Sequence, residues 1–212
     1  MSAALFGASA LALSLWVASA GAPLPGDLWL TIRIQDADSF AGTARVANAA
    51  GGWAWQWPVV GLMAALVAWA PRGERRARAE ALWALAALVV LRYWDQVMKA
   101  AVQSPRPVEA LDVEVDRVRD TYGFPSGHVY SDVLVYGLVA VFATVVFGRR
   151  LGLVARTVAI AVIVLAGPAR VYVGAHWPSD TVGGYLWGLA ALCLAVAFGR
   201  WLAGSGWRRA RT

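Results

Sequence analysis

Residues 128–148, HVYSDVLVYGLVAVFATVVFG, form an apolar run long enough to cross a membrane as a helix. A transmembrane helix needs about 20 mostly apolar residues, whereas the helices of soluble domains keep one polar face. Five further segments of similar character lie at residues 2–22, 53–71, 80–103, 153–175 and 179–203. The sequence therefore predicts an all-α protein, an integral membrane bundle of six transmembrane helices.

The composition of the chain agrees with a lipid environment. Hydrophobic residues make up 59% of the 212 residues and charged residues 15%, whereas about one quarter of a soluble domain is charged. The net charge of +6 does not indicate a nucleic-acid partner, because the basic residues lie in short clusters between apolar runs. Such clusters suit anionic membrane lipids. We expect one membrane-embedded domain over residues 1–212, with a motif-bearing core at 80–203.

Arginine clusters predict the orientation in the membrane. They follow the second, fourth and sixth predicted helices and comprise Arg72, Arg75, Arg76 and Arg78; Arg149, Arg150 and Arg156; and Arg200, Arg208, Arg209 and Arg211. Loops rich in Lys and Arg stay on the cytoplasmic side. We therefore expect a multi-pass protein of the cytoplasmic membrane, with residues 23–52, 104–127 and the turn near 176–179 on the extracytoplasmic side.

The first apolar segment has two interpretations. Ala18-Ser19-Ala20 resembles a signal-peptide cleavage site, but no Lys or Arg precedes the apolar run. Signal peptides begin with a positively charged region, so we expect a retained helix. The segment at 24–46 alternates apolar and polar residues, which favours a stretch lying along the outer surface.

The first polar cluster spans residues 99–107 at the end of the third predicted helix. Lys99 is the only lysine beside eighteen arginines, which suggests a need for a compact point charge. A lysine that only extends its ammonium towards the membrane surface is the alternative. Pro105 and Pro107 flank Arg106 and stiffen the backbone that orients its guanidinium.

The second cluster, Tyr122-Gly-Phe-Pro-Ser-Gly-His128, comes just before the fourth predicted helix. Backbone N–H groups at such a helix start converge on an anion, and the helix dipole adds to the attraction. Ser126 is equally compatible with an ordinary helix N-cap, but a cap does not explain His128 beside it.

The third cluster contains Arg170, His176 and Asp180. His176 and Asp180 are four residues apart, so on a helical turn they share a face. A carboxylate that accepts a hydrogen bond from one ring nitrogen leaves the lone pair on the other nitrogen, which can act as a nucleophile. The chain has two histidines, and both fall in polar clusters on the same predicted side of the membrane, which indicates a catalytic site.

Together, Lys99-x6-Arg106-Pro107, Pro125-Ser126-Gly127-His128 and Arg170-x5-His176-x3-Asp180 resemble the three signature motifs of the type 2 phosphatidic acid phosphatase family. That family includes bacterial lipid phosphatases, undecaprenyl pyrophosphate phosphatases and glucose-6-phosphatase. The resemblance implies that His176 attacks phosphorus and becomes phosphohistidine, that Asp180 orients His176, and that His128 protonates the leaving oxygen. It also implies a reaction without metal or other cofactor and a phosphate-binding set made of Lys99, Arg106, Ser126, Gly127 and Arg170.

A few residues near the motifs carry further expectations. Ala169 stands where the family usually has Ser, so one hydroxyl donor to phosphate is missing. Asp132 follows His128 by four and either supports a protonated His128 or is a polar residue of the bundle, while Asp95 lies one turn before Lys99 and could orient it. The acidic residues of 109–120 lack an ordered calcium-ligand pattern, which favours a solvated loop.

The expected function is dephosphorylation of a lipid phosphate or pyrophosphate, of the undecaprenyl pyrophosphate or phosphatidic acid type, with the active site facing the extracytoplasmic side. Two alternatives stay open. A lipid-to-lipid phosphotransferase would pass the phosphate to an alcohol instead of water, and a non-enzymatic lipid-binding protein would bind without turnover. The sequence does not indicate the oligomeric state.

Overall fold

The structure, a computed structural model, describes residues 3–69 and 75–209. Its α-helices are α1 (Ala3–Ala20), α2 (Asp27–Gln35), α3 (Ala41–Ala50), α4 (Trp53–Trp69), α5 (Arg75–Leu91), α6 (Trp94–Val102), α7 (Gly127–Tyr172) and α8 (Pro178–Arg209). Short 3-10 turns occur at Asp38–Phe40 and Glu109–Leu111, and neither described range contains a strand. The prediction of an all-α membrane bundle is confirmed. Arg72 and Arg211 of the arginine clusters lie outside the described residues.

Several helices are long and apolar enough to cross a membrane. Within the described ranges, four stretches meet that criterion, Ala3–Ala20, Arg75–Val102, Gly127–Tyr172 and Pro178–Gly204, and Ala54–Trp69 is a shorter apolar helix. All six predicted segments therefore coincide with helical structure.

The predicted count of six helices is nevertheless wrong. Residues 80–103 belong to two helices, α5 and α6, because the helix is interrupted at Arg92 and Tyr93. Residues 24–46, expected to lie along the outer surface, include α2 and the first part of α3. The buried residues of α2 are Asp27 and Thr31, which are four apart and therefore lie on the same face of the helix.

Gly148 divides α7 into two arms, residues 127–147 and 149–172. Its φ of 70° and ψ of −176° are non-helical, and this positive φ is accessible to glycine without steric cost. The arms then approach closely, since a Cβ on Gly152 would lie 2.6 Å from Thr144 Cα. The two predicted helices at 128–148 and 153–175 correspond to these arms.

Helix α8 packs against α1, α5 and α7, and the main apolar core includes Met63, Val67, Leu88, Leu134 and Phe142. The beginnings of α7 and α8 meet, since Ser126 N donates to Asp180 O at 2.9 Å. Asp27 of α2 holds the start of α8 by accepting from Ser179 N at 2.9 Å and from Ser179 Oγ at 2.7 Å. A carboxylate at a helix N-terminus satisfies free N–H groups there, which fixes the helix end beside the third motif.

Candidate active site

A cavity of about 500 Å³ lies where α6 ends and where α7 and α8 begin. Six of the eight predicted site residues line it: Lys99, Arg106, Gly127, His128, Arg170 and His176. The two imidazoles thus share one cavity, although 48 positions separate them in the chain. The structure brings the three sequence motifs together.

The other two predicted site residues lie behind the cavity wall. Ser126 is fully buried, and its Oγ has no hydrogen-bond partner among the described residues. Asp180 is also fully buried, directly behind His176. The position of Asp180 allows its carboxylate to support the His176 ring from behind. Ser126, in contrast, presents no side-chain surface to the cavity.

His176 lies between a carboxylate and a guanidinium. Its Nδ1 is 3.3 Å from Asp180 Oδ2, and Trp177 N donates to the same oxygen at 3.1 Å. On the other side, Arg106 Nη1 is 3.0 Å from His176 Nε2. A proton on Nδ1, facing Asp180, leaves the lone pair on Nε2, facing the cation that would hold an anionic substrate.

Burial keeps the His176 ring neutral. The side chain is 2% exposed, and this burial lowers the pKa of His176 well below 6.5, with further lowering by Arg106 and Arg170. An imidazole is nucleophilic only when it is neutral. The ring is therefore available for attack at neutral pH without first losing a proton.

The loop after α6 holds Arg106 rigidly. Nε donates to Thr121 O at 2.7 Å, Nη2 donates to Thr121 Oγ1 at 3.0 Å, and Nη1 donates to Ala175 O at 2.5 Å. Burial lowers the pKa of Arg106 to about 10, against the opposing effect of Asp180, so the guanidinium stays charged at neutral pH.

Lys99 and Asp95 form a buried ion pair at the edge of the cavity. Lys99 Nζ lies 3.0 Å from Asp95 Oδ2 and donates to Pro125 O at 2.8 Å. A Cβ on Gly127 would lie 2.5 Å from Asp95 Oδ2. The close approach of this ion pair to the start of α7 therefore requires glycine at position 127.

Arg170 depends on a helix that the sequence analysis did not identify. It is 8% exposed, and its Nη1 donates to Asn48 Oδ1 of α3 at 3.0 Å. A neutral acceptor orients the guanidinium without cancelling its charge, so Arg170 remains suited to binding an anion.

Among the described residues, Asp132 forms no hydrogen bond to His128. Its Oδ1 accepts from Gln56 Nε2 at 2.9 Å, and a Cβ on Gly51 would lie 2.5 Å from its Oδ2. These contacts join Asp132 to α4 and to the turn that precedes α4, which matches the interpretation of a polar residue inside the bundle.

The sequence analysis missed several polar residues of the cavity wall, including Gln56, Arg92, Arg117, Arg119 and Ser131. Arg117 and Arg119 lie in the loop that was read only for its acidic residues. Arg119 Nη1 pairs with Asp116 Oδ1 at 2.9 Å, and its side chain is only 14% exposed. The sequence did contain a signal for these two residues, because the arginines are interleaved with the acidic residues of the loop. Among the described residues, no three His, Cys, Asp or Glu side chains form a metal-binding group.

The chain is similar to known proteins in both sequence and fold. The family model of the PAP2 superfamily matches residues 80–203. Phosphatidylglycerophosphatase B of Bacillus subtilis strain 168 is 30% identical over 109 residues, which cover 50% of this chain and 52% of the relative. The aligned part thus spans about half the length of that curated relative.

The crystal structure of a transmembrane PAP2 type phosphatidylglycerolphosphate phosphatase from Bacillus subtilis is similar along most of its length. The TM-score is 0.72 at 21% identity, over 90% of this chain and 94% of that chain. This likeness shows a shared fold. Because the family model covers more than half of the chain and contains all three motifs, this multi-pass membrane protein belongs to the PAP2 superfamily.

Proposed function

We propose that this protein removes phosphate from a membrane lipid phosphate or pyrophosphate, without a metal, through a phosphohistidine on His176. The observation that carries the proposal is the position of His176 between Asp180 at 3.3 Å and Arg106 at 3.0 Å, in the cavity shared with His128. A nucleophile oriented on one side and faced by a cation on the other is arranged for attack on an anionic phosphoryl group.

In the first step, His176 Nε2 forms a bond to phosphorus as the bond between phosphorus and the lipid oxygen breaks. His128 gives its proton to that oxygen, so the lipid leaves as an alcohol, or as a monophosphate from a pyrophosphate. In the second step, His128 takes a proton from water, which attacks the phosphohistidine and releases inorganic phosphate. Two displacements replace one difficult hydrolysis.

The cations of the cavity supply the charge stabilisation. The phosphoryl group keeps its negative charge on three equatorial oxygens during transfer, and Lys99, Arg106 and Arg170 all line the cavity that would hold it. The backbone N–H of Gly127, at the start of α7, adds a donor at a helix N-terminus. Fixed cations of this kind perform the role that a magnesium ion has in other phosphoryl transfers.

We place the cavity on the extracytoplasmic face of the cell membrane. The helices that begin or end at the cavity have exposed arginines at their opposite ends, Arg75 and Arg76 on α5 and Arg149 and Arg150 beside Gly148. Loops of this composition remain cytoplasmic. A cysteine placed in loop 112–121 should then react with a membrane-impermeant thiol reagent in intact cells.

The proposed substrates are lipids that expose a terminal phosphate at the membrane surface. Undecaprenyl pyrophosphate and phosphatidic acid are the types that the motifs favour, and the name of the Bacillus subtilis relative adds phosphatidylglycerol phosphate. We propose that residues 1–212 act as one domain on these lipids, with the lipid tail between the helices.

Phosphate release from purified protein in detergent with EDTA tests the proposal. We expect turnover with at least one of these lipids and inhibition by vanadate, whose trigonal bipyramid mimics the transferring phosphoryl group. Binding without release would contradict the proposal and favour a lipid-binding protein. Transfer of labelled phosphate to an added lipid alcohol, instead of water, would identify a phosphotransferase.

A further inference from the structure

Helix α2 lies outside the three motifs, and the mechanism above does not use it. It packs against α7 and α8, which are joined by the turn at residues 173–177 that carries His176. Asp27 and Gln35 are the first and last residues of α2, eight positions apart, which corresponds to about 12 Å along a helix. The contacts at these two ends show how α2 is connected to the turn of the nucleophile.

The Gln35 side chain connects the end of α7 to the loop that follows α6. Its Nε2 donates to Tyr172 O at 3.1 Å and to Glu114 O at 2.7 Å, and its Oε1 accepts from Glu114 N at 3.1 Å. Both kinds of hydrogen-bonding group of the amide, the N–H donors and the carbonyl acceptor, are therefore used. Tyr172 O belongs to the last turn of α7, where carbonyl groups have no partner within the helix. Because all three contacts are to the backbone, they fix the path of the chain shortly before His176.

The Asp27 carboxylate fixes the chain on the other side of the same turn. It is 5% exposed and accepts from Ser179 N, from Ser179 Oγ and from Leu24 N. Three donors on one buried carboxylate leave it little freedom to move. Helix α2 thus connects Tyr172 to Ser179, the former four positions before His176 and the latter three positions after it.

The turn between these two points also depends on the loop that Gln35 binds. Residues 173–177 form turns and bends between the two helices, and Asp116 N donates to Val173 O at 3.2 Å. Asp116 lies two residues after Glu114, which is the contact of Gln35 in the loop. Loss of the Gln35 contacts would therefore loosen the turn both directly, at the end of α7, and through the loop.

The nucleophile and its supporting carboxylate lie on different parts of the chain. His176 belongs to the turn and Asp180 to α8, so their contact of 3.3 Å depends on how the turn is held. The phosphate-binding cations Lys99 and Arg170 lie on α6 and α7, and Arg170 is oriented from α3. A displaced turn would therefore move the His176 ring while leaving these two cations in place.

We propose that α2 braces the turn of the nucleophile and that Gln35 is a positioning residue for His176, opposite the contact that Asp27 makes with α8. This inference rests on the proposed phosphohistidine mechanism and adds to it a residue from outside the three motifs. Gln35 acts through the backbone and does not touch the phosphate. Its loss should therefore impair the attack by His176 more than it impairs phosphate binding.

The main test variant is Gln35→Met, which nearly keeps the shape and the neutral charge of the side chain but loses all three hydrogen bonds. Gln35→Ala is the second variant and serves if the methionine variant does not fold. The matched control is Thr31→Val on the same helix. Thr31 is buried and its Oγ1 donates to Asp27 O at 2.8 Å within α2, so this change weakens α2 while both of its ends keep their contacts.

Two measurements separate the position of His176 from phosphate binding. The first is the rate of phosphohistidine formation in a single turnover, with the lipid that the wild type hydrolyses fastest. The second is the ratio of the inhibition constants of vanadate and inorganic phosphate. Vanadate in its trigonal bipyramid bonds to the attacking ring nitrogen, whereas phosphate contacts only the binding groups. A ratio within one variant cancels any loss of folded protein.

We expect Gln35→Met to slow phosphohistidine formation roughly tenfold and to weaken inhibition by vanadate about as much, because a small displacement of a nucleophile is costly. Inhibition by phosphate should change less than about threefold, and Thr31→Val should change the ratio less than about twofold. In a His176→Ala background, Gln35→Met should not weaken vanadate further, because the contact with the ring is already lost.

Four outcomes would overturn the role of Gln35 while leaving the proposed function intact. They are an unchanged rate in the Gln35 variant, equal weakening of vanadate and phosphate, the same change of ratio in Thr31→Val, and a further loss of vanadate affinity in the His176→Ala background. An absence of phosphate release from the wild type would overturn the proposed function together with this inference.

Discussion

The arginines at the two ends of the bundle differ in what surrounds them. At the cavity end, Arg92 and Arg170 are 6% and 8% exposed and donate to neutral oxygen atoms. At the other end, the side chains of Arg76 and Arg200 are 63% and 65% exposed and share Glu80, at 3.1 Å and 3.9 Å. Exposed ion pairs contribute about 0–1 kcal/mol, so only the buried arginines are oriented well enough to recognise a ligand.

The largest expected effect comes from the nucleophile at the buried end. His176→Ala should reduce kcat by at least ~100-fold, because it removes the group that forms the covalent intermediate. Phosphate release and acid-labile labelling of the protein with radioactive substrate measure this. Near-normal turnover in the variant would refute the proposed mechanism.

The second prediction compares one arginine from each end of the bundle. Arg106→Ala should lower kcat/KM by about 10- to 100-fold, because a charge-assisted contact to the transferring phosphoryl group is lost. Arg156→Ala, remote from the cavity, should stay within about twofold of the wild type. Equal losses in the two variants would show that burial near His176 gives Arg106 no special role.

The neutral state of His176 predicts a pH-dependent stability. Because the pKa of His176 lies well below its unfolded value of 6.5, the unfolded chain binds a proton that the folded site rejects. The contribution of the neutral His176 ring to the free energy of unfolding is fully present well above pH 6.5. It is lost as the pH falls below 6.5. From about pH 7.5 to about pH 5.5, the loss amounts to about 1.4 kcal/mol for one histidine.

Thermal unfolding in detergent without phosphate, compared with His176→Gln, isolates this contribution. As the pH falls, the free energy of unfolding should decrease more for the wild type than for the variant. A shift of opposite sign would mean that the folded site favours the charged ring.

The smallest effect concerns a partly exposed arginine of the loop. Arg119 pairs with Asp116 at 2.9 Å and lines the cavity. Its removal in Arg119→Ala should lower kcat/KM by roughly fivefold, because a charge across a hydrated cavity acts weakly, and added salt should reduce the difference. Arg200→Ala is the control at the opposite end, and a matching loss there would contradict a local role for Arg119.

The sequence was sufficient to predict the membrane helices and the local pairs. Apolar runs of about 20 residues are readable without a structure, and pairs four residues apart, such as Lys99 with Asp95, follow from the helical period. The helix count was wrong because the interruption at Arg92 and the short helices α2 and α3 depend on what packs beside them. Asp27 and Thr31, for example, are buried by contacts outside their own helix.

The order and spacing of Lys99, Arg106, His128, Arg170, His176 and Asp180 thus determined from sequence alone which family and which chemistry to expect. Only the tertiary structure decided how those groups meet. Arg106 reaches His176 across 70 residues, Asn48 orients Arg170 across 122, and Gln56 holds Arg92 across 36. Such contacts have no periodic signature, because they depend on how whole helices pack together, and that packing forms the cavity.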